Sequence, residues 1–241
     1  MSDYLTNFKN KFAKIEDIFE FASASEAEKD AIRKALTRYA NKGILFRAGR
    51  GLYGFYAKTI YSPRLNEQTK KIVDILRENF PYLEFTITDT TFLSDLMNLQ
   101  PMSTTLVIET MESAIDPIIS ALRKANITAY EQKDYPKMER YIKNSMVILV
   151  RSQMASAPSP IKSEQAKFAS LEKILVDLVS DDEIFAQYQN TELENIYQSA
   201  VEKYAVNYSK LLKYAKARNR KAECISLLEQ TQEYNQVRDL L

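Results

Sequence analysis

The 241-residue sequence has no histidine, no tryptophan, one cysteine and four glycines. Without histidine there is no histidine general base, no Ser-His-Asp or Cys-His pair, and no histidine-ligated metal. The single cysteine, Cys224, rules out a disulfide within the chain and, with histidine missing, zinc sites of the Cys/His kind. No apolar run approaches the ~18 residues that a membrane helix requires. The longest, MVILV at 146–150, is strand-sized. The opening MSDYLTNFKNKF carries charges where a signal peptide needs an apolar stretch. These absences lead us to expect a cytoplasmic protein with no membrane partner, no metal and no other cofactor.

Average usage would supply roughly 17 glycines in a chain of this length. The four present, Gly43, Gly49, Gly51 and Gly54, all fall within GILFRAGRGLYG at 43–54. No glycine follows Gly54, so neither the G-x-x-x-x-G-K-S/T nor the G-x-G-x-x-G phosphate loop can occur downstream.

What surrounds the glycines is basic. Residues 1–61 hold 11 lysines and arginines against 7 acids, whereas 62–160 hold 11 against 12 and 161–241 hold 11 against 13. Apolar residues at helical spacing predict short helices over 3–12 (Leu5, Phe8, Phe12) and 15–22 (Ile15, Ile18, Phe19, Ala22). Ser25 and Glu28 form an S-x-x-E capping box and Gly43 stands at a C-cap, which frames a helix over 26–42. At 100° per residue Glu28, Ile32, Ala35, Leu36 and Tyr39 share one face; Asp30, Lys34, Thr37, Arg38 and Asn41 share the other, with Lys29 and Arg33 on a flank.

ILFRA (44–48) and LYGFY (52–56) read as strands joined at Gly49-Arg50-Gly51, a hairpin with Arg50 at its tip and Arg47 near it. Gly54 inside the second strand marks a bulge or a close backbone approach. Three short helices followed by a basic hairpin is the order of a winged helix-turn-helix. Its third helix enters the major groove of duplex DNA, and its wing reaches the minor groove or the phosphates. The candidate DNA-binding residues are Lys29, Arg33, Lys34, Thr37, Arg38, Asn41, Arg47 and Arg50.

The run AIRKALTRYANKGILFRAGRGLYGF resembles the N-terminal winged helix of AbiEi-type antitoxins of bacterial abortive-infection, or type IV toxin–antitoxin, systems. Gly43-Ile44-Leu45, Arg47 and Arg50-Gly51-Leu52-Tyr53 carry the resemblance, over about 35 residues. It implies an autorepressor that binds its own promoter. It also implies that the rest of the chain counteracts a nucleotidyltransferase-like toxin, without requiring a stable complex with it.

Past Ser62-Pro63 the pattern alternates. Helix over 73–80, strand over 84–89, helix over 91–99, strand over 104–110, helix over 115–126, and strands over 127–133 and 144–153 predict a small, partly parallel α/β domain. MASAPSPIKS (154–163) reads as an extended connector, and the remainder reads as helical. The expected architecture is therefore α+β and multidomain: a winged helix at 1–61, an α/β domain at 62–155 and a helical region at 156–241. Tyr188, Tyr197, Tyr204, Tyr208 and Tyr214 suit either a half-buried bundle or an exposed partner surface. Within KYAKARNRK (213–221) the cations suit a second nucleic-acid contact or a solvated helix end.

Two other functions compete. The α/β domain of a winged-helix regulator can sense a small ligand. Alternatively, Glu131-Gln132-Lys133, with Glu109 and Asp116 upstream, is the acid-x-Lys arrangement of Mg²⁺-dependent restriction-type nucleases. That triplet occurs once, no more often than composition alone would place it. We expect no catalysis.

Overall fold

In the computed structural model, which describes residues 3–99, 103–135, 146–163 and 166–241, the longer helices start at polar caps. Helix α3 (Glu26–Asn41) begins at Ser25, whose N–H and Oγ–H both donate to Glu28 Oε2, at 2.8 and 2.6 Å. This is the expected capping box. The helix stops before Gly43, which takes φ +68°.

Ahead of it lie α1 (Asp3–Asn7), β1 (Phe12–Lys14) and α2 (Ile15–Phe21); behind it lie β2 (Phe46–Gly49) and β3 (Leu52–Gly54). The helix expected over 3–12 is thus shorter. Asn10 turns into the left-handed region at φ 61°, and Phe12 begins a strand instead. The three strands form an antiparallel sheet in the order β1-β3-β2, with Phe12 opposite Gly54 on one side and Phe46 opposite it on the other.

The chain divides into two units: residues 1–61 with 197–241, and residues 62–196. The segment 156–241, expected as one helical region after an extended connector, is therefore shared between both, and its Lys167–Phe168, expected as helix, forms a strand.

In the first unit, Leu5, Ile18, Ile32, Leu36, Leu45, Tyr53 and Phe55 form the core under α1–α3 and the sheet. The C-terminal segment adds α8 (Tyr208–Ala217), α9 (Lys221–Glu229) and α10 (Gln232–Val237). They bury Tyr208, Leu211, Tyr214, Cys224, Leu228, Tyr234 and Val237, so most of the tail's tyrosines are core rather than surface. Ala205 N–H donates to Thr59 O at 2.9 Å, the Tyr61 and Tyr204 rings meet edge to face at 5.8 Å, and Lys58 forms a buried ion pair with Glu233.

The second unit is a mixed α/β layer structure. Helix α4 (Glu67–Asn79) is capped by Asn66 and leads to β4 (Thr86–Asp89); after a 3₁₀ segment over 90–96 comes β5 (Thr104–Thr110). Helix α5 (Ile115–Lys124), β6 (Tyr130–Glu131), β7 (Met146–Ser152), β8 (Ile161–Lys162), β9 (Lys167–Phe168) and α6 (Leu171–Ser180) follow. Of the strand expected over 127–133 only Tyr130–Glu131 pairs. Residues 144 and 145 of the strand expected over 144–153 lie outside the described residues.

The sheet order is β6-β7-β5-β4-β9-β8; β7 runs parallel to β5 and β6, β4 parallel to β9, and β4–β5 and β8–β9 are antiparallel. Helix α5 is the crossover that a parallel β5–β7 pair needs. Its Ile115, Ile118, Ile119 and Leu122 join Ile72, Val73 and Leu76 of α4 over Leu106, Ile108, Ile148 and Val150 of the sheet. Helix α7 (Thr191–Lys203) carries the boundary at 196/197.

Gly54 sits against the buried ring of Phe46: a Cβ there would lie 2.3 Å from Phe46 Cε1. Phe12 and Tyr56 hold that ring at centroid distances of 5.9 and 5.2 Å. Gly54→Ala should therefore lower stability by about 1–3 kcal/mol through overpacking. Gly43→Ala, where only φ is unfavourable, should cost about 1–2 kcal/mol. Urea denaturation of both variants, and of Gly54→Ala with Phe46→Leu, checks this: the double variant should recover part of the loss.

Candidate nucleic-acid interface and buried ion cluster

On α3 the burial of Ile32 and Leu36 turns the opposite face to solvent, so Lys34, Thr37, Arg38 and Asn41 are exposed together. Thr37 Oγ1–H donates to Arg33 O at 3.0 Å. Arg38 lies 5.6 Å from the Tyr39 ring. The flank residues are engaged: Lys29 pairs with Glu26 at 2.6 Å and Arg33 with Asp30 at 2.7 Å, both cations lying within 6 Å of the Phe19 ring centroid. Exposed pairs of this kind contribute about 1 kcal/mol or less, so a phosphate can displace the acid at little cost.

The hairpin presents Arg47 and Arg50, both exposed. Arg47 lies 5.7 Å from the Tyr53 ring centroid, and its Nη2 donates to Tyr53 Oη at 3.4 Å. At the tip Gly51 adopts φ +68° and the Arg50 N–H donates to Ser209 Oγ at 3.2 Å. Ser209 belongs to α8, so the tip rests on a C-terminal helix of the same unit. The eight sequence-derived residues thus occupy one helix and one hairpin: Lys34, Thr37, Arg38 and Asn41 share a face, Arg47 and Arg50 stand on the hairpin, and Lys29 and Arg33 are tied into the helix flank.

The unit that carries them holds 19 of the 33 lysines and arginines but only 12 of the 32 acids, a formal charge of +7; the other unit is left with −6. The basic N-terminal quarter is legible in the sequence, but the three further net positive charges from 197–241 are not, because nothing local says which distant segment folds against which.

In the α/β unit, Glu131 pairs with Lys133 at 2.7 Å, and that hydrogen bond raises the lysine pKa above its ordinary value. Asp116, Arg123, Tyr130, Glu131 and Asp134 line an open pocket of about 410 Å³. Glu109 is not among its walls. Its Oε1 instead accepts from Arg151 Nε at 2.7 Å and from Lys173 Nζ at 2.9 Å. Arg151 stands opposite Glu109 in the β5–β7 register, and its other nitrogens donate to Asp177 at 2.9 Å, Asp181 at 2.7 Å and Gln132 at 3.1 Å. Lys173 also pairs with Asp177 one turn along α6.

Glu109, Asp177, Arg151 and Lys173 are thus buried together, with the half-buried Asp181 at their edge. Burial lowers the Arg151 pKa, but Asp177, Glu109 and Asp181 outweigh it and hold the guanidinium above its ordinary value. Structure therefore separates the acids that the sequence grouped: Asp116 and Glu131 share a pocket, while Glu109 is neutralised elsewhere. Among the described residues no three histidine, cysteine or acidic side chains are placed to hold a metal ion.

The cluster left a trace in sequence, since Glu109 and Arg151 interrupt apolar strands and Lys173 and Asp177 interrupt an apolar helix four residues apart. Removing one member of a buried pair strands the others, at about 3–5 kcal/mol. Arg151→Met should show a loss of that size in urea denaturation, and Arg151→Met with Glu109→Gln a smaller one. Arg33→Met, an exposed control, should change stability by less than about 1 kcal/mol.

No curated protein matches the chain. A family pattern does match, over residues 31–234, and the protein belongs to that family, described as a family of unknown function, DUF6577.

Proposed function

We propose that the protein is a transcriptional regulator that grips duplex DNA through α3 and the β2–β3 hairpin. The observation that carries this reading is the exposed cationic surface of one +7 unit, with Lys34, Arg38 and Asn41 on a helix face and Arg50 at a hairpin tip. The order α1-β1-α2-α3-β2-β3, closed by a three-stranded antiparallel sheet, supports a winged helix-turn-helix with α3 as the reading helix. Arginine and lysine read guanine edges, and asparagine reads adenine, through paired hydrogen bonds in the major groove. The DNA is the promoter of the protein's own gene.

The resemblance to AbiEi-type antitoxins extends the proposal. The regulator is the antitoxin of a type IV pair, and it opposes a nucleotidyltransferase-like toxin without holding it in a stable complex. It acts in the cytoplasm and performs no catalysis. A second reading draws on the open pocket at Asp116, Arg123 and Glu131, whose size suits a small ligand, and makes the α/β unit a sensor that tunes DNA affinity. An adjacent nucleotidyltransferase gene favours the antitoxin; a metabolite that shifts the melting temperature favours the sensor.

Gel shifts with the upstream region of the gene test DNA binding. Arg50→Ala should cost about 1–3 kcal/mol if the tip reads a groove, and less if it touches phosphate alone. Arg38→Ala with Arg50→Ala should weaken binding further, and an unchanged affinity in that double variant would overturn the assignment. The antitoxin role is tested by growth of cells expressing the neighbouring toxin, which the full-length protein should restore from a foreign promoter.

A further inference from the structure

Helix α8 has two unlike faces. Tyr208, Leu211, Tyr214 and Ala215 are buried, while Lys210, Lys213 and Lys216 are exposed. Ser209, Lys213 and Lys216 stand at i, i+4 and i+7, and so on one stripe. Ser209 is the residue whose Oγ accepts the Arg50 N–H, and a Cβ added to Gly49 would lie 2.6 Å from the same oxygen. The hairpin tip is therefore seated on the head of that stripe, with Arg50 exposed beside it. None of Arg50, Lys213 and Lys216 has a carboxylate partner among the described residues.

We infer that α8 is a second DNA-contacting element, in which Lys213 and Lys216 take phosphates of the duplex flanking the segment held by α3 and the hairpin. The inference rests on the DNA-binding reading above. Lys213 and Lys216 on one stripe, with Arg50 at its head, are like charges without counter-charges, and a polyanion relieves their repulsion. Lys216 lies about 10 Å along the helix axis from Ser209 at 1.5 Å per residue. That is about three base-pair steps at 3.4 Å each. The Arg50–Ser209 hydrogen bond fixes the start of the stripe at the tip, so the stripe and the hairpin meet the DNA as one surface. Contacts of this kind carry register and affinity, not sequence preference. By contrast Arg218 and Arg220, farther along the same basic run, are engaged with Tyr214 and Glu223.

The test uses the full-length protein, the Lys213→Gln/Lys216→Gln variant, its Lys213→Arg/Lys216→Arg counterpart, and a Lys34→Ala/Arg38→Ala variant. Binding is measured by fluorescence anisotropy on labelled 40-base-pair duplexes, one from the upstream region and one of unrelated sequence, between 50 and 200 mM salt. Because each phosphate contact contributes about 0.9 to the slope of log affinity against log salt, losing two should flatten it by roughly two units. The glutamine variant should lose affinity for both duplexes by the same factor, at least fivefold at 100 mM salt, and the arginine variant should keep it. The alanine variant on α3 should lose preference for the upstream duplex instead.

A wild-type protein that binds neither duplex overturns both readings. Wild-type binding that the glutamine variant matches in affinity and slope overturns this inference alone and leaves the α3–hairpin interface standing. Thermal melting of the glutamine variant should match the wild type, since both lysines are exposed.

Discussion

Lys58 lies just past the hairpin, and its ammonium group is nearly withdrawn from water between the carbonyl oxygens of Val201 and Glu202 and the carboxylate of Glu233. The same carboxylate accepts the Tyr208 hydroxyl at 2.7 Å. Burial, with Glu233 beside them, pushes the pKa of Tyr56 and of Tyr208 far above its ordinary value, so both rings stay neutral donors. A buried cation persists only when its partners are held in place. Here the partners, Val201, Glu202 and Glu233, all come from the C-terminal segment, which joins residues 1–61 in one unit. Everything proposed for that unit depends on this joint: the tip resting on Ser209, the charge of +7, and the alignment of α8 with Arg50.

The second unit uses the same physics for a different end. Arg151 and Lys173 bind Glu109, Asp177 and Asp181 where the ends of β5 and β7 meet α6. Such an arrangement contributes little net stability compared with apolar packing, but it accepts only one register of strands and helix. A shift of β7 by one residue would turn Arg151 to the other face of the sheet and leave three carboxylates facing one lysine.

Local signals were legible in sequence. The capping box at Ser25, the stop at Gly43, the apolar face of Ile32 and Leu36, the turn at Gly51 and the close approach at Gly54 all rest on rules that act within a few residues. So do β5, β7 and α5, whose apolar runs are long enough to decide their state. Where the outcome depended on distant pairing, the reading failed. Phe12 sits on a helical stripe, yet it begins a strand that pairs with β3 opposite Gly54, a partner the local pattern does not reveal. The strand over 127–133 shrinks to Tyr130–Glu131, since β7 pairs with only those two residues. The tail's tyrosines, which suit a packed bundle in the sequence, are buried at Tyr188, Tyr197, Tyr208 and Tyr214, as that reading expects. Of the buried ion cluster only Glu109 stands out in the sequence, and its Oε1 is held by Arg151 and Lys173.

A unit assembled from both ends of the sequence also sets a schedule for biosynthesis. The first 61 residues leave the ribosome while the residues that will enclose Lys58 and seat the hairpin tip are still to be translated. At roughly 5–20 residues per second, translating the intervening 135 residues takes on the order of ten seconds or more. Throughout that interval the hairpin exists without its support and Lys58 remains solvated. The α/β unit, contiguous in sequence, can fold in the meantime. The basic unit is completed when Glu233 emerges, and a chain cut short before Ser209 would carry the arginines of the hairpin without the helix that holds the Arg50 backbone.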